Sequence, residues 1–220
     1  MQLPPENAHY SQRVDFGTYV VRRLKRAKFN ALAADAELAT SAVKSKGRLW
    51  EDAKGPVQDA LADRDAADDG LDDNAKNLRN SLAGRSVPAI TEAPYKNIFH
   101  QGIGYYTAAR LEDQVSRYTE FGQRVSAHLP DADALKQPAL SANSQGLSDF
   151  GTASTALTQA RVQETMAKTE LDAAEESWNR LMEKIYGLLL SELGRKAAER
   201  FFPRVKGKAK SKDEGQGDEG

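Results

Sequence analysis

The balance between helix-forming and strand-forming apolar residues constrains the fold of this chain most. Its 220 residues include 33 Ala and 21 Leu but only 10 Val and 4 Ile. Ala and Leu lose little side-chain freedom in a helix, whereas the β-branched residues that suit strands are scarce. The composition therefore predicts an all-α fold and argues against all-β and α/β folds.

Apolar residues at steps of three and four residues mark the first predicted helix, which starts near Asp15. Because Gly47 weakens a helix interior and Pro56 lacks a backbone donor, we expect a kink or a chain reversal between these two residues. The apolar positions that predict this long helix are Leu24, Ala27, Ala31, Ala34, Leu38, Ala42, Leu49, Ala53, Val57 and Leu61.

Four further helices follow from the same periodicity. A weaker helix is expected over 131–150, interrupted by Pro138 and Gly146, and the last long helix is expected from about Thr152 to Phe202. The spacing predicts coiled-coil-like packing in an elongated antiparallel bundle of four or five helices, with long first and last helices. One helix is predicted by Leu71, Ala75, Leu78 and Leu82, with Gly84 after its end. The next is predicted by Ala108, Leu111, Val115, Tyr118, Gly122, Val125 and Leu129. The apolar positions of the last long helix are Ala153, Leu157, Ala160, Ala167, Leu171, Ala174, Trp178, Leu181, Ile185 and Leu188.

The domain organisation follows from where this periodicity starts and stops. Residues 1–12 are polar and proline-rich and predict an irregular arm, and 13–202 predict a single helical-bundle domain. Within it, 85–104 predicts an ordered loop rich in aromatic residues. The charged, glycine-rich segment 203–220 predicts a disordered tail.

Motif searches argue against catalysis. The chain contains no cysteine, and Glu-x-x-His, the spacing of helical di-metal sites, occurs once, at Glu6 and His9 beside two prolines. The serine at Ser148 lacks the spacing and the preceding strand of a nucleophile elbow. The sequence therefore predicts a non-enzymatic protein with no catalytic residues, no metal site and no cofactor.

Charge is segregated along the chain although the net charge is −1. Residues 13–48 hold nine basic and three acidic residues, whereas 51–73 hold two basic and nine acidic residues. The densest basic run consists of Arg22, Arg23, Lys25, Arg26 and Lys28. It is expected either to be neutralised by the acidic segment or, together with the basic tail, to bind nucleic acid or an anionic membrane.

The predicted loop carries the second candidate site. Tyr95, Phe99, His100, Tyr105 and Tyr106 cluster there, and such residues either anchor a partner or cover one end of a bundle.

Three hypotheses for function remain. The first is a scaffold that binds a protein partner or a second copy of itself through helix faces or the loop 85–106. The second is electrostatic binding through residues 22–28 and the tail, and the third is a ligand or enzyme pocket near His100. The first residues lack a signal-peptide pattern and no apolar run suits a membrane span, so a cytoplasmic location is expected.

Overall fold

The computed structural model describes residues 1–203, so the predicted tail beyond Pro203 lies outside the described part of the chain. Within residues 1–203 every regular element is helical and no strand is present. The predicted all-α fold is confirmed. In the same residues, no helix is both long enough and apolar enough to cross a membrane.

The described chain consists mainly of long helices, and its contacts group it into two compact units. Among the described residues, unit 1 contains Met1–Asp52 and 165–203, and unit 2 contains Ala53–Glu164. The single bundle domain over 13–202 stays a prediction. The α-helices of residues 1–203 are α1 (Tyr10–Arg26), α2 (Asn30–Asp52), α3 (Lys54–Ala83), α4 (Tyr95–Ile98), α5 (Gly104–Thr107), α6 (Gln114–His128), α7 (Lys136–Leu193) and α8 (Arg195–Ala198). Single 3₁₀ turns cover Ala89–Thr91 and Glu199–Phe201.

Unit 1 is built on an antiparallel hairpin of α1 and α2. The side chain of Tyr10 packs against Gly47, and Lys25 Nζ lies 2.8 Å from the carboxylate of Glu37. The last part of α7 completes the unit, and Lys46 pairs with its Glu170. Unit 1 is therefore a three-helix arrangement with a shared core.

The turn between α1 and α2 divides the predicted long first helix, which is therefore wrong at this point. Lys28 has a φ of 65°, which is the left-handed region that ends a right-handed helix. Because the turn resets the helical phase, the predicted apolar face is wrong after this point. Ala31, Ala34 and Leu38 are exposed. The buried positions of α2 are Ala33, Ala36, Thr40, Val43 and Gly47.

The interruption expected between Gly47 and Pro56 is confirmed at a single residue. Ala53 separates α2 from α3, and its backbone stays in the right-handed helical region. Pro56 is the third residue of α3. Its missing N–H has no intrahelical acceptor so close to the helix start, which explains why a proline is tolerated there.

Trp178 forms the centre of the unit 1 core. Its side chain is fully buried, and its indole Nε1 donates a hydrogen bond of 3.1 Å to Thr40 Oγ1. The Thr40 hydroxyl donates in turn to the carbonyl of Ala36, so both polar groups are satisfied. Gly17 allows this packing, since a Cβ on it would lie 2.1 Å from Thr40 Oγ1 and 3.0 Å from Trp178 Nε1.

Gly17→Ala is expected to lower the free energy of unfolding by about 1–3 kcal/mol, because the added methyl group overpacks a buried site. Gly70→Ala is the matched control: Gly70 also lies inside a helix, and a Cβ there meets no atom within 4 Å. Since alanine is the better helix former, the control is expected to gain about 0.5–1 kcal/mol. Urea denaturation followed by circular dichroism measures both changes, and equal effects would contradict the packing argument.

The N-terminal arm is shorter than predicted and is held by a buried arginine. Helix α1 begins at Tyr10 rather than after residue 12. The Arg13 guanidinium is buried and donates to the carbonyl oxygens of Pro5, Glu6 and Ala8 at 3.1–3.4 Å. It also lies 3.3 Å from the Glu175 carboxylate on α7. The arm is therefore fixed to the core of unit 1.

Unit 2 is built from α3, α6 and the first part of α7. The four apolar positions predicted for α3 are all buried, and the helix ends before Gly84 as expected. The predicted face of α6 is partly wrong, because Leu111 precedes the helix and both it and Val115 are exposed. The buried positions of α6 are Gln114, Tyr118, Phe121 and Val125.

Helix α7 runs without interruption through Pro138 and Gly146, which corrects the predicted weak helix over 131–150. Pro138 is its third residue, where no intrahelical acceptor is lost. The helix ends at Leu193 rather than Phe202, because Gly194 adopts a φ of 75°. Towards this end Met182 and Leu189 are buried whereas Leu188 is exposed, since a 3.6-residue turn drifts from a heptad repeat.

Candidate anion-binding site

The predicted basic run lies at the surface of unit 1. Arg22, Lys25, Arg26 and Lys28 are exposed, and Arg23 is half-buried. These residues occupy the last turns of α1 and the turn that follows it. Cations are favourable at a helix C-terminus, where unpaired carbonyl groups carry partial negative charge.

The fold brings a second basic segment to Arg23. After Gly194 the chain turns back, and the burial of Ala198, Phe201 and Phe202 fixes it on the unit 1 core. Arg23 Nε donates a hydrogen bond of 3.1 Å to the carbonyl oxygen of Arg200. The basic run and the C-terminal segment thus form one continuous surface.

A cavity of about 800 Å³ opens between these segments, and we call it the basic cleft. Its lining includes the cations of Arg23, Lys196 and Arg200, the phenol of Tyr19 and the ring of Phe202. Glu199 also lines it, and its carboxylate accepts a hydrogen bond of 3.0 Å from Arg195 Nε. The cleft therefore carries an excess of positive charge.

Most cations of the basic run and of the cleft have no ion-pair partner in the described part of the chain. Among residues 1–203, Lys25 pairs with Glu37, but Arg22, Arg26, Lys28, Lys196 and Arg200 form no ion pair. Charges of one sign that line a cleft, as Arg23, Lys196 and Arg200 do here, attract counter-ions and raise association rates. Phosphate groups suit guanidinium donors especially well, because the fork geometry matches two oxygens at once.

Sequence reasoning missed Lys196 and Arg200. They belong to a short segment whose charge is unremarkable, and about 170 residues separate it from Arg23 along the chain. The predicted continuation of the last helix to Phe202 also hid the turn at Gly194. The glycine before two basic residues, in Gly194-Arg195-Lys196, is the signal that could have indicated a helix end there.

The aromatic loop divides into core and surface residues. Phe99 and Tyr106 are buried in the unit 2 core, where Phe99, Tyr106 and Phe121 pack against one another. Tyr95 and Tyr105 are half-buried, and His100 is exposed. Of the five residues predicted as a site in this loop, Tyr95, His100 and Tyr105 thus keep accessible surface, whereas Phe99 and Tyr106 do not.

A polar network ties the surface residues of the loop to α6. Glu120 accepts hydrogen bonds from the Tyr105 hydroxyl at 2.5 Å and from Arg124 Nε at 2.8 Å. Both bonds hold the pKa of the Glu120 carboxyl below its usual value. Arg124 also lies 3.2 Å from His100 Nε2 and donates to the carbonyl of Asn97. Since arginine only donates, the His100 nitrogen is the acceptor.

Burial raises the pKa of Tyr106 to about 12, and its hydroxyl donates to the carbonyl of Ile98. Below the ordinary tyrosine pKa near 10, Tyr106 is neutral in both the folded and the unfolded chain. Above that pH, Tyr106 ionises in the unfolded chain while it stays neutral in the folded chain, which favours unfolding. Stability is therefore expected to fall as pH rises from about 10 to 12. Tyrosinate absorbance and urea denaturation across this range measure it. In Tyr106→Phe the fall is expected to be smaller, and an unchanged fall would contradict the assignment.

Within residues 1–203 no group of three His, Cys, Asp or Glu side chains is placed to hold a metal ion. Comparison of the chain with protein-family models, curated proteins and solved structures finds no match.

Proposed function

We propose that the chain is a non-enzymatic binding protein that holds a phosphate-bearing polyanion against the basic cleft of unit 1. The observation that carries this proposal is the convergence of Arg23, Lys196 and Arg200, three basic residues from segments far apart in the chain, on one cavity. Both nucleic acids and anionic membranes present the required phosphates. The basic residues Arg204, Lys206, Lys208, Lys210 and Lys212 follow directly in the sequence, ahead of four acidic residues.

The exposure of the basic run favours this function over the other hypotheses. Its cations were expected either to meet an acidic segment or to face solvent, and four of the five are exposed. The aromatic loop supports a binding function less, because Phe99 and Tyr106 serve as core residues of unit 2.

A triple charge reversal tests the proposal. Arg23→Glu, Lys196→Glu and Arg200→Glu together are expected to weaken binding at least about 100-fold, since each basic residue near an anionic surface contributes about 1 kcal/mol. Binding is measured by anisotropy with a mixed-sequence duplex and by co-sedimentation with vesicles that contain phosphatidylserine. Wild-type affinity should also fall steeply as salt rises.

The matched control reverses three exposed cations elsewhere: Lys96→Glu, Arg110→Glu and Lys184→Glu. The control changes the net charge of the chain by the same amount as the cleft variant. It therefore distinguishes a specific effect of the cleft on binding from an effect of overall charge. We expect the control to lose far less affinity than the cleft variant. Equal losses, or no binding of the wild-type chain to either probe at low salt, would overturn the proposal.

A protein partner or a second copy of the chain, bound through the loop 85–106, is a second candidate. It is favoured by Val87 and Ile90, which are 96% and 53% exposed in that loop. Light scattering coupled to size exclusion tests it. A complex or dimer that Val87→Ser with Ile90→Ser dissociates would support this candidate, and a monomer with no retained partner would argue against it.

A further inference from the structure

An apolar strip at the end of α7 consists of the half-buried Tyr186 and the exposed Leu190 and Leu193. Tyr186, Leu190 and Leu193 follow one another at steps of four and three residues, which places them on the same side of the helix. Leu190 and Leu193 are 40% and 39% exposed. Large apolar side chains that share one exposed side of a helix are expected to contact another apolar phase.

The apolar strip is continuous with the basic cleft. The ring of Tyr186 packs edge-on against the ring of Phe202, with centroids 5.6 Å apart, and Phe202 lines the cleft. Tyr19, on the cleft wall, is also exposed. Cations and apolar side chains therefore meet on one surface of unit 1.

This combination distinguishes between the two phosphate-bearing partners. The outer surface of a nucleic acid offers phosphates and sugars, and exposed leucines gain nothing by contact with them. An acidic bilayer offers phosphates directly above hydrocarbon, so basic residues bind its headgroups while neighbouring leucines enter the acyl boundary. Tyrosine is enriched at the same depth, where its ring is apolar and its hydroxyl is hydrated.

We propose that the polyanion bound by the basic cleft is the surface of an acidic bilayer, with Leu190 and Leu193 inserted at the headgroup–acyl boundary. The inference rests on the proposed function, because it assigns the partner class of the same cleft. The leucines supply an interaction that salt does not screen, and Arg23, Lys196 and Arg200 supply the preference for anionic lipid.

The test compares full-length Leu190→Ser/Leu193→Ser with Leu38→Ser/Leu188→Ser. The control pair is also exposed, and Leu188 lies on the opposite side of α7 from the strip. Partition is measured on phosphatidylcholine vesicles with and without phosphatidylserine, and anisotropy with a DNA duplex is measured in parallel. The partition coefficient of the strip variant on acidic vesicles is expected to fall about tenfold or more. The reason is that each CH₂ group buried in the bilayer adds favourable free energy of binding, and serine removes these groups. Duplex binding and the control variant should stay unchanged.

A second variant tests insertion without removing apolar surface. Leu193→Trp is expected to bind acidic vesicles at least as tightly as the wild-type chain. Its added emission should shift to shorter wavelength on vesicles but not on duplex DNA, because the indole leaves water only at the bilayer. No shift on vesicles would overturn the bilayer inference.

The two proposals fail in different ways. If the strip variant and the wild-type chain partition equally, or if duplex binds more tightly than acidic vesicles at equal phosphate, the bilayer inference is wrong while the polyanion proposal stands. If the wild-type chain binds neither probe at low salt, both proposals are wrong. Loss of vesicle binding by the strip variant alone would support both.

Discussion

Arg13→Met is expected to lower the free energy of unfolding by about 3–5 kcal/mol, because it leaves one partner of a buried ion pair without the other. The Arg13 and Glu175 side chains are 2% and 12% exposed. Burial raises the pKa of Glu175, which shows that the surroundings of its carboxylate disfavour charge. The substitution also removes the donor to the carbonyls of Pro5, Glu6 and Ala8. Urea denaturation monitored by circular dichroism measures the loss.

Two further variants separate the ion pair from a general effect of arginine. Arg22→Met removes an exposed arginine from the same helix and is expected to change stability by less than about 0.5 kcal/mol. Arg13→Met combined with Glu175→Met is expected to recover part of the loss, since no unpaired buried charge remains. A double variant less stable than Arg13→Met would contradict the assignment.

Trp178→Ala is expected to lower the free energy of unfolding by about 3–5 kcal/mol, through lost burial and the cavity left behind. The indole is fully buried between α1 and α2, and Phe16 packs edge-on against it with ring centroids 5.7 Å apart. The substitution also leaves the buried Thr40 hydroxyl without its donor. Thermal or urea unfolding gives the magnitude.

Trp50→Ala is the matched control, because Trp50 is the other tryptophan of the chain and is only half-buried. Its loss is expected to be no more than about 1–2 kcal/mol. Near-ultraviolet circular dichroism should lose its tryptophan signal mainly in Trp178→Ala. Similar losses for the two variants would contradict the central role assigned to Trp178.

Periodicity predicted the helices well wherever a segment stays in one helix. The apolar positions of α3 are buried as expected, and most of those proposed for α7 are buried or half-buried. Periodicity gave the wrong buried positions where a turn ends one helix and the next helix starts with a different phase. Nothing in the residues around Lys28 marks a break, since neither glycine nor proline is present, so the apolar face was carried through into α2 with the wrong phase.

One part of the candidate site could be predicted from the sequence and the other could not. A dense basic run is visible in the sequence, and its exposure follows from its place at the end of α1. The cleft required Lys196 and Arg200 as well, and their approach to Arg23 depends on how Phe201 and Phe202 dock on the unit 1 core. Such long-range contacts leave no local pattern.

The sequence by itself determined the all-α class and the positions of several helices, because propensity and periodicity act over a few neighbouring residues. It also determined that positive charge is concentrated in residues 13–48. The tertiary structure alone decided the hairpin at Lys28, the burial of Arg13 and the partition of the aromatic loop into core and surface. It also decided that two basic segments share one cleft. These features depend on packing between residues that are far apart in the chain, where burial free energy outweighs local preference.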